Sequence, residues 1–289
     1  MKSLLLAMLV GLMMVGCGEE AQKEAVQEEA PKEASFAIKP GENFTVPDLN
    51  LKMIWVEPGT FTMGSPTSER GRYRSETQRQ VTLTKGFYLG KYELTQAQWE
   101  KVMGNNPSKF KGANRPVENV SWNDAVAFCK KLTEMEKKAG RVPEGMAYQL
   151  PTEAQWEYAC RAGTTTVYSW GNTIAPSNAN YAIDGFGTGL QETTPVGKYA
   201  DNPWGFHDMH GNVAEWTADW YSADSPSGNP VVDPTGPASG PQRVIRGGNW
   251  ATVGAGLRSA ERFYGPPGRQ IDTHRPAKQG FRVGFLPSK

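Results

Sequence analysis

The stretch LPTEAQWEYA, residues 150–159, carries the signals that decide how the middle of the chain folds. Thr152 is a residue type favoured at helix N-termini, and Gln155 follows it at the spacing of a capping box. We therefore predict a short helix from Thr152 to about Gly163. The aromatic side chains in this stretch, Trp156 and Tyr158, supply large surfaces that can hold neighbouring loops together.

Two further helices are predicted upstream by the same signals. Thr95 and Gln98 open the first, which ends near Gly104. Ser121 opens the second, with Asp124 at the capping spacing and Gly140 as its stop. An apolar stripe at helical period supports the second helix, formed by Ala125, Phe128, Cys129, Leu132 and Met135.

Short strands surround these helices. Residues 53–56 and 61–64, joined by a Pro-Gly turn, predict strand, turn, strand, and further strands are predicted at 81–83, 86–92, 243–245 and 281–285. Residues 164–243 lack clear periodicity, but their tryptophans argue against disorder. The pattern indicates an α+β fold with little regular secondary structure.

The N-terminus predicts export and attachment to a membrane. Residues 1–17 resemble a lipoprotein signal peptide, because an apolar run too short to span a bilayer leads into the sequence MVGC, with Cys17 as the lipidated residue. An ordinary cleaved signal with an incidental Cys is the alternative. Gly18 shows no inner-membrane retention signal, which mildly favours an outer membrane.

Residues 18–45 are rich in Glu, Ala, Lys and Gln and predict a disordered acidic tether, followed by one domain over residues 46–289. A formal charge of +1 gives no reason to expect a nucleic-acid partner. Apart from Cys17 the chain has only Cys129 and Cys160, whose apolar neighbours favour buried free thiols.

Seven sequence blocks, in order, resemble the formylglycine-generating enzyme and sulfatase-modifying factor family. That family's fold is a C-type-lectin-like α+β domain. The matching blocks lie at residues 56–64, 92–99, 116–122, 150–159, 211–216, 246–250 and 280–283.

The resemblance implies bound calcium. The matching ligands of one ion are the Asp208 and Glu215 side chains and the carbonyls of Gly211 and Val213, an oxygen set that suits calcium. A second family site falls at Asn180 and Tyr181, where the expected later Asp is replaced by Thr188 and Asp184 stands nearby. An N-cap Asp and an exposed Glu are the alternative explanation.

The resemblance also shows what is missing. The family's enzymes oxidise a cysteine of a sulfatase with oxygen and a copper ion held by two cysteines, which lie just after the Arg-Gly-Gly motif. Residues 249–260 contain no Cys, and Leu257 stands where a catalytic Cys is expected. Ala214 replaces the Trp that shapes the oxygen pocket. We therefore expect calcium without copper, and no cysteine oxidation.

The function that follows is a tethered module that binds a protein or small-molecule ligand. The proposed binding face is the loop 249–279, through Trp250, Arg258, Arg262 and Tyr264, although packing of a long loop would use the same residues. The alternative is a formylglycine-generating or other metal-assisted oxidoreductase acting on exported proteins or small molecules. A site made from the chain's three His, and a display protein with a diversified face, are weaker hypotheses.

Overall fold

The computed structural model describes residues 38–183, 189–224, 228–268 and 278–288. The predicted signal peptide, Cys17 and most of the predicted tether lie outside these ranges. Within them, no helix combines the length and apolar character needed to cross a membrane.

The three predicted helices are confirmed. They are α1 (Gln96–Met103), α2 (Trp122–Lys138) and α3 (Glu153–Arg161), and each begins with a reciprocal capping box. Thr95, Ser121 and Thr152 are the caps, so three N-terminal signals read from the sequence correspond to three helix starts. The apolar stripe of α2 ends earlier than predicted, because Met135 is 37% exposed.

Twelve strands are present in the described part of the chain. They are β1 (Phe44–Val46), β2 (Leu51–Val56), β3 (Gly59–Met63), β4 (Arg79–Leu83), β5 (Phe87–Gly90), β6 (Met146–Gln149), β7 (Ala214–Trp220), β8 (Val231–Val232), β9 (Arg243–Arg246), β10 (Phe263–Gly265), β11 (Gln279–Gly280) and β12 (Gly284–Pro287).

The strands form three sheets. The first is antiparallel with the order β1-β2-β5-β12-β6, the second has the order β10-β9-β7-β11, and the third has the order β3-β4-β8. The second sheet is the one that positions the candidate site.

The strands predicted at 53–56 and 61–64 are present as β2 and β3, but they do not pair with each other as a hairpin. β2 has β1 on one side and β5 on the other, while β3 pairs with β4 in a different sheet. The turn at Gly59 packs tightly under Tyr158 of α3, since an added Cβ would lie 2.2 Å from the tyrosine hydroxyl oxygen. The chain therefore changes sheets at this turn.

The strand expected at 281–285 is only partly present, because residues 281–283 form the link between β11 and β12. β11 pairs in parallel with β7, and β12 pairs with β5 and β6 in the first sheet. Between them Arg282 turns inward and is completely buried. Its side chain connects the two sheets, as described below.

The predicted loop region 164–243 contains the central strand β7, which lies between β9 and β11. Five of its seven residues carry polar or small side chains, including Glu215 and Asp219. Its sequence therefore lacks the apolar alternation that would predict a strand. Its position is set by tertiary contacts instead. Trp216 is fully buried, and its indole N–H donates to the Val120 carbonyl (3.0 Å) just before α2.

The folded domain begins before the boundary predicted at residue 46. The Asn43 side chain accepts a hydrogen bond from the Trp55 backbone N–H (2.8 Å), and Ile38 and Phe44 pack against the main apolar cluster. Residues 38–45 of the predicted tether therefore belong to the domain.

Candidate functional site

A groove lies across the second sheet, at the position where the family resemblance would place an active site. The cavity has a volume of about 440 Å³. Ala214 on β7 pairs with Gln279 on β11, and Ile245 on β9 pairs with Phe263 on β10, so all four strands contribute to its floor. The small side chain of Ala214 adds little volume there.

Tyrosines form the rim of the groove. Tyr264 stacks on Tyr221 with ring centroids 4.1 Å apart, and is still 45% exposed. Tyr73 lines the same cavity and is 62% exposed. Sequence reasoning named Tyr264 but missed Tyr73 and Tyr221, which come from distant parts of the chain.

The segment after the Arg-Gly-Gly motif forms a closed turn on the groove wall. The Asn249 backbone N–H donates to the Thr252 hydroxyl (3.0 Å), and the Thr252 N–H donates to the Asn249 carbonyl (2.8 Å). Leu257 is fully buried in a separate cluster with Tyr168 and Tyr181. The part of this segment that lines the groove therefore supplies a hydroxyl and an amide, from Thr252 and Asn249, while Leu257, where a catalytic Cys was expected, does not line the groove.

Arg258 lies in the interior, not on the binding face where it was expected. Its guanidinium is 2.7 Å from carboxylate oxygens of Glu69 and of Glu76, and it also pairs with Glu261. It is only 1% exposed. Arg258 thus ties residues 69–76, including the rim residue Tyr73, to the C-terminal loop.

Arg262 and Trp250 also make contacts with other side chains of the domain. Arg262 lines the groove but makes two hydrogen bonds to the Glu153 carboxylate (2.6 and 2.9 Å), at the start of α3. Trp250 packs edge-on against Phe110, with centroids 5.6 Å apart, away from the groove lining. Of the four residues predicted to bind ligand, Tyr264 and Arg262 face the groove.

A buried acidic cluster is centred on Glu215, which directly follows the groove residue Ala214 on β7. Glu215 receives the Arg282 side chain through two hydrogen bonds (2.6 and 2.7 Å), and the Trp156 indole N–H donates to it as well (2.8 Å). Asp208 accepts from the Gly197 backbone N–H (2.7 Å). All these side chains except that of Asp208 are almost completely buried, and Asp208 is 8% exposed.

Glu93 is a third member of this cluster that sequence reasoning missed. Its carboxylate accepts hydrogen bonds from the Val213 backbone N–H (2.9 Å) and the Asn212 side chain (2.6 Å). Its position between Tyr92 and Leu94, two residues before the Thr95 cap of α1, is the signal that could have revealed it.

Burial and mutual repulsion favour protonation in the cluster. Burial, followed by the charges of Asp208 and Glu215, holds the pKa of Glu93 well above its usual range. Burial also raises the pKa of Asp208 to about 6, against the opposing effect of the Gly197 hydrogen bond. Arg282 alone would not balance three ionised carboxylates, so the cluster can be neutralised by protonation or by an additional cation.

The predicted calcium ligands could supply part of the coordination that such a cation needs. A carboxylate has about four lone-pair positions, and Glu215 uses three of them on Arg282 and Trp156, which leaves one for a metal. Within the described ranges, no three His, Cys, Asp or Glu side chains are arranged to hold a metal. Coordination would therefore need the carbonyls of Gly211 and Val213 beside Asp208 and Glu215, the mixture that calcium uses.

The second predicted site contacts the first. The Asn180 carbonyl accepts from the Asn212 N–H (2.9 Å), and the Asn180 amide donates to the Glu192 carbonyl (2.8 Å). Gly211 is required at this crossing, because an added Cβ would lie 2.4 Å from the Asn180 carbonyl oxygen. Tyr181 is buried beside Leu257, while Asp184 and Thr188 lie outside the described residues.

The described histidines both contact backbone carbonyls. His207 Nδ1 is 2.8 Å from the Tyr199 oxygen, and His210 Nδ1 is 2.7 Å from the Leu257 oxygen. Burial lowers the pKa of His210 to about 4, so it is neutral near pH 7. His274 lies outside the described residues. These contacts account for both side chains without a metal.

Cys129 and Cys160 are buried free thiols, as predicted. Cys160 Sγ lies 3.5 Å from His210 Nε2, and burial raises the pKa of its thiol to about 12. A thiol with that pKa is almost entirely protonated at pH 7. Neither cysteine lines the groove.

Comparisons with known proteins agree with this architecture. The family model described as "Sulfatase-modifying factor enzyme 1-like domain" matches residues 39–284. The chain is 32% identical over 281 residues to "Chaperone protein LppX" of Paenibacillus barcinonensis, covering 83% of this chain and 90% of that protein. It is 31% identical over 261 residues to the formylglycine-generating enzyme of Mus musculus, covering 69% and 66% respectively.

A solved structure has the same fold. "Treponema denticola variable protein 1" superposes with a TM-score of 0.71 at 30% identity, covering 84% of this chain and 98% of that one. The family match spans nearly the whole described domain, and the α+β architecture with short, curled sheets is shared. The chain therefore belongs to the sulfatase-modifying factor family.

Proposed function

We propose that this chain is a binding module on the fold of a sulfatase-modifying enzyme, and that its groove holds a segment of another polypeptide without oxidising it. The observation that carries the proposal is the composition of the groove. Exposed tyrosines, amides and hydroxyls line it, and it contains no thiol to hold copper. Aromatic side chains of this kind are enriched at protein interfaces.

The name of one relative supports a polypeptide ligand. LppX is called a chaperone, and the match covers 90% of that protein. A chaperone needs a surface that accepts exposed apolar segments. Tyr264 and Tyr73 offer partly exposed rings in the lining of the groove, while Arg258 links the two chain segments that carry them.

The proposed module is exported and tethered. Cys17 would carry the lipid anchor, with the outer membrane mildly preferred, and the acidic segment after it would place the groove away from the membrane. Calcium bound by Asp208, Glu215 and the carbonyls of Gly211 and Val213 would have a structural role. It would neutralise the cluster that anchors β7, and β7 supplies part of the groove floor.

A binding measurement tests the polypeptide ligand. Fluorescence anisotropy of a labelled, permanently unfolded protein such as reduced and carboxymethylated α-lactalbumin should show saturable binding. Tyr264→Ser should weaken that binding by about tenfold, the effect of removing an interface anchor worth somewhat more than 1 kcal/mol.

The matched control is Ile183→Ser, which removes an apolar side chain that is 49% exposed and lies outside the groove lining. It should leave the affinity unchanged. Equal losses in the two variants, or no binding by the unmodified chain, would contradict the proposed groove.

A further inference from the structure

A second, open cleft lies on the described surface, separate from the groove. Its volume is about 650 Å³, and two tryptophans, Trp170 and Trp204, line it together with Asp201. No residue of its lining also lines the groove. We propose that this cleft binds a quaternary or alkylated ammonium group.

One wall of the cleft is an exposed indole held in place. Trp170 is 37% exposed, yet it stacks on Tyr168 with an interplanar angle of 5° and centroids 5.2 Å apart. It also lies edge-to-face with the His210 ring, with centroids 4.7 Å apart, and its N–H donates to the Thr173 carbonyl (2.9 Å). These contacts hold the partly exposed indole in one orientation, so a ligand could pack against it without rearranging the side chain.

The other wall is fixed just as firmly. Trp204 packs edge-on against Tyr158 of α3, with centroids 4.7 Å apart. Its backbone N–H donates to the Asn202 side chain (3.0 Å). The Asn202 amide donates in turn to the Ala159 and Cys160 carbonyls (2.7 and 3.1 Å), which ties the turn to the end of α3.

The charge of the cleft selects the ligand. Asp201 brings a carboxylate whose side chain is 49% exposed, and its described ion pair, with His207 Nε2, is long at 3.9 Å. The residues that line the cleft include no Lys or Arg. A cation in a cleft lined by two indole rings and a carboxylate is attracted by the ring quadrupoles and by the opposite charge.

Several hydrogen-bonding groups of the cleft are already used within the protein. The Asn202 amide is committed to backbone carbonyls, and its oxygen accepts from the Trp204 and Phe206 N–H groups. The Ser169 hydroxyl lies 3.2 Å from His210 Nε2. With these groups in use, the cleft offers π faces and one carboxylate, which suits an ammonium group whose protons are replaced by methyl groups.

The test is a titration of the whole chain with choline, followed by tryptophan fluorescence and calorimetry. Choline should bind, and its neutral isostere 3,3-dimethylbutanol should bind at least about fivefold more weakly, because it keeps the shape and lacks the charge. Trp170→Leu and Asp201→Asn should each weaken choline binding by about threefold to tenfold.

Glu100→Gln is the matched control, since it neutralises an exposed carboxylate on α1 and should leave choline binding unchanged. If Trp170→Leu is misfolded by near-ultraviolet circular dichroism, Asp201→Asn decides the question, because its side chain is half exposed. Equal affinity for choline and the neutral isostere, no choline binding, or an unchanged affinity in Asp201→Asn would overturn the proposal. Binding of glucose in place of choline would overturn it as well.

Discussion

Replacing Arg258 by Met tests the assignment of this residue to the interior of the domain. Arg258 contacts the carboxylates of Glu69, Glu76 and Glu261, whose side chains are only 5%, 0% and 6% exposed. Arg258→Met keeps most of the apolar volume but leaves these acids buried without their shared cation. Breaking a buried ion pair from one side costs about 3–5 kcal/mol, so we expect a decrease of that size in the free energy of unfolding.

The pH dependence makes this prediction specific. Burial alone would raise the pKa of Glu76, but the Arg258 hydrogen bonds and charge, together with Ser65, hold it below its usual value. A carboxyl with a lowered folded-state pKa stabilises the protein above its unfolded pKa, and that contribution is lost as the pH falls. Without Arg258 the sign reverses, because burial then favours the protonated acid.

The stability difference between the unmodified chain and Arg258→Met should therefore be largest at pH 7 and smaller at pH 4. A change of one unit in the pKa of Glu76 accounts for about 1.4 kcal/mol of this effect. Urea unfolding followed by tryptophan fluorescence at both pH values measures it. The control Arg70→Met removes an exposed arginine and should change the free energy of unfolding by less than about 0.5 kcal/mol. A loss in Arg258→Met that equals the control, or that does not depend on pH, would refute the assignment.

Three further predictions concern the thiols, the proposed calcium and the helix caps. In a Cys17→Ser background, Ellman's reagent should not react with the native chain at pH 8, and Cys129 and Cys160 should both react in guanidinium chloride; fast native reaction would contradict their burial. Calcium should raise the melting temperature of the EDTA-treated chain, as any ligand specific for the folded state does, and Asp208→Asn should abolish that rise; an equal rise in the variant would argue against this site. Ser121→Ala should lower the free energy of unfolding by about 1 kcal/mol through loss of the α2 cap, measured by urea denaturation, and an unchanged value would mean that the capping box contributes nothing.

The sequence predicted the helices well because their start signals are local. Thr95, Ser121 and Thr152 each lie three residues before a side chain that completes a capping box, and no long-range contact is needed to recognise that pattern. Strand pairing was predicted less well. Whether β2 pairs with β3 or with β5 depends on the neighbours that occupy each edge, which are distant in the sequence.

The candidate site shows the same division. The absence of cysteine after the Arg-Gly-Gly motif is a property of the sequence itself. The burial of Arg258 is not, because an arginine in a glycine-rich loop gives no sign that three carboxylates from other segments surround it. Tyr73 and Tyr221 were missed for that reason too, since the groove unites chain segments that are far apart in sequence.

The most direct test of the central claim is an attempt to detect the family's oxidation. The purified chain, reconstituted with copper under air, would be incubated with a Cys-x-Pro-x-Arg peptide and a reductant, and the peptide analysed by mass spectrometry beside a reaction with an active formylglycine-generating enzyme. We expect the peptide cysteine to remain unconverted while the active enzyme converts it. Appearance of formylglycine in the reaction with this chain would contradict a function based on binding alone.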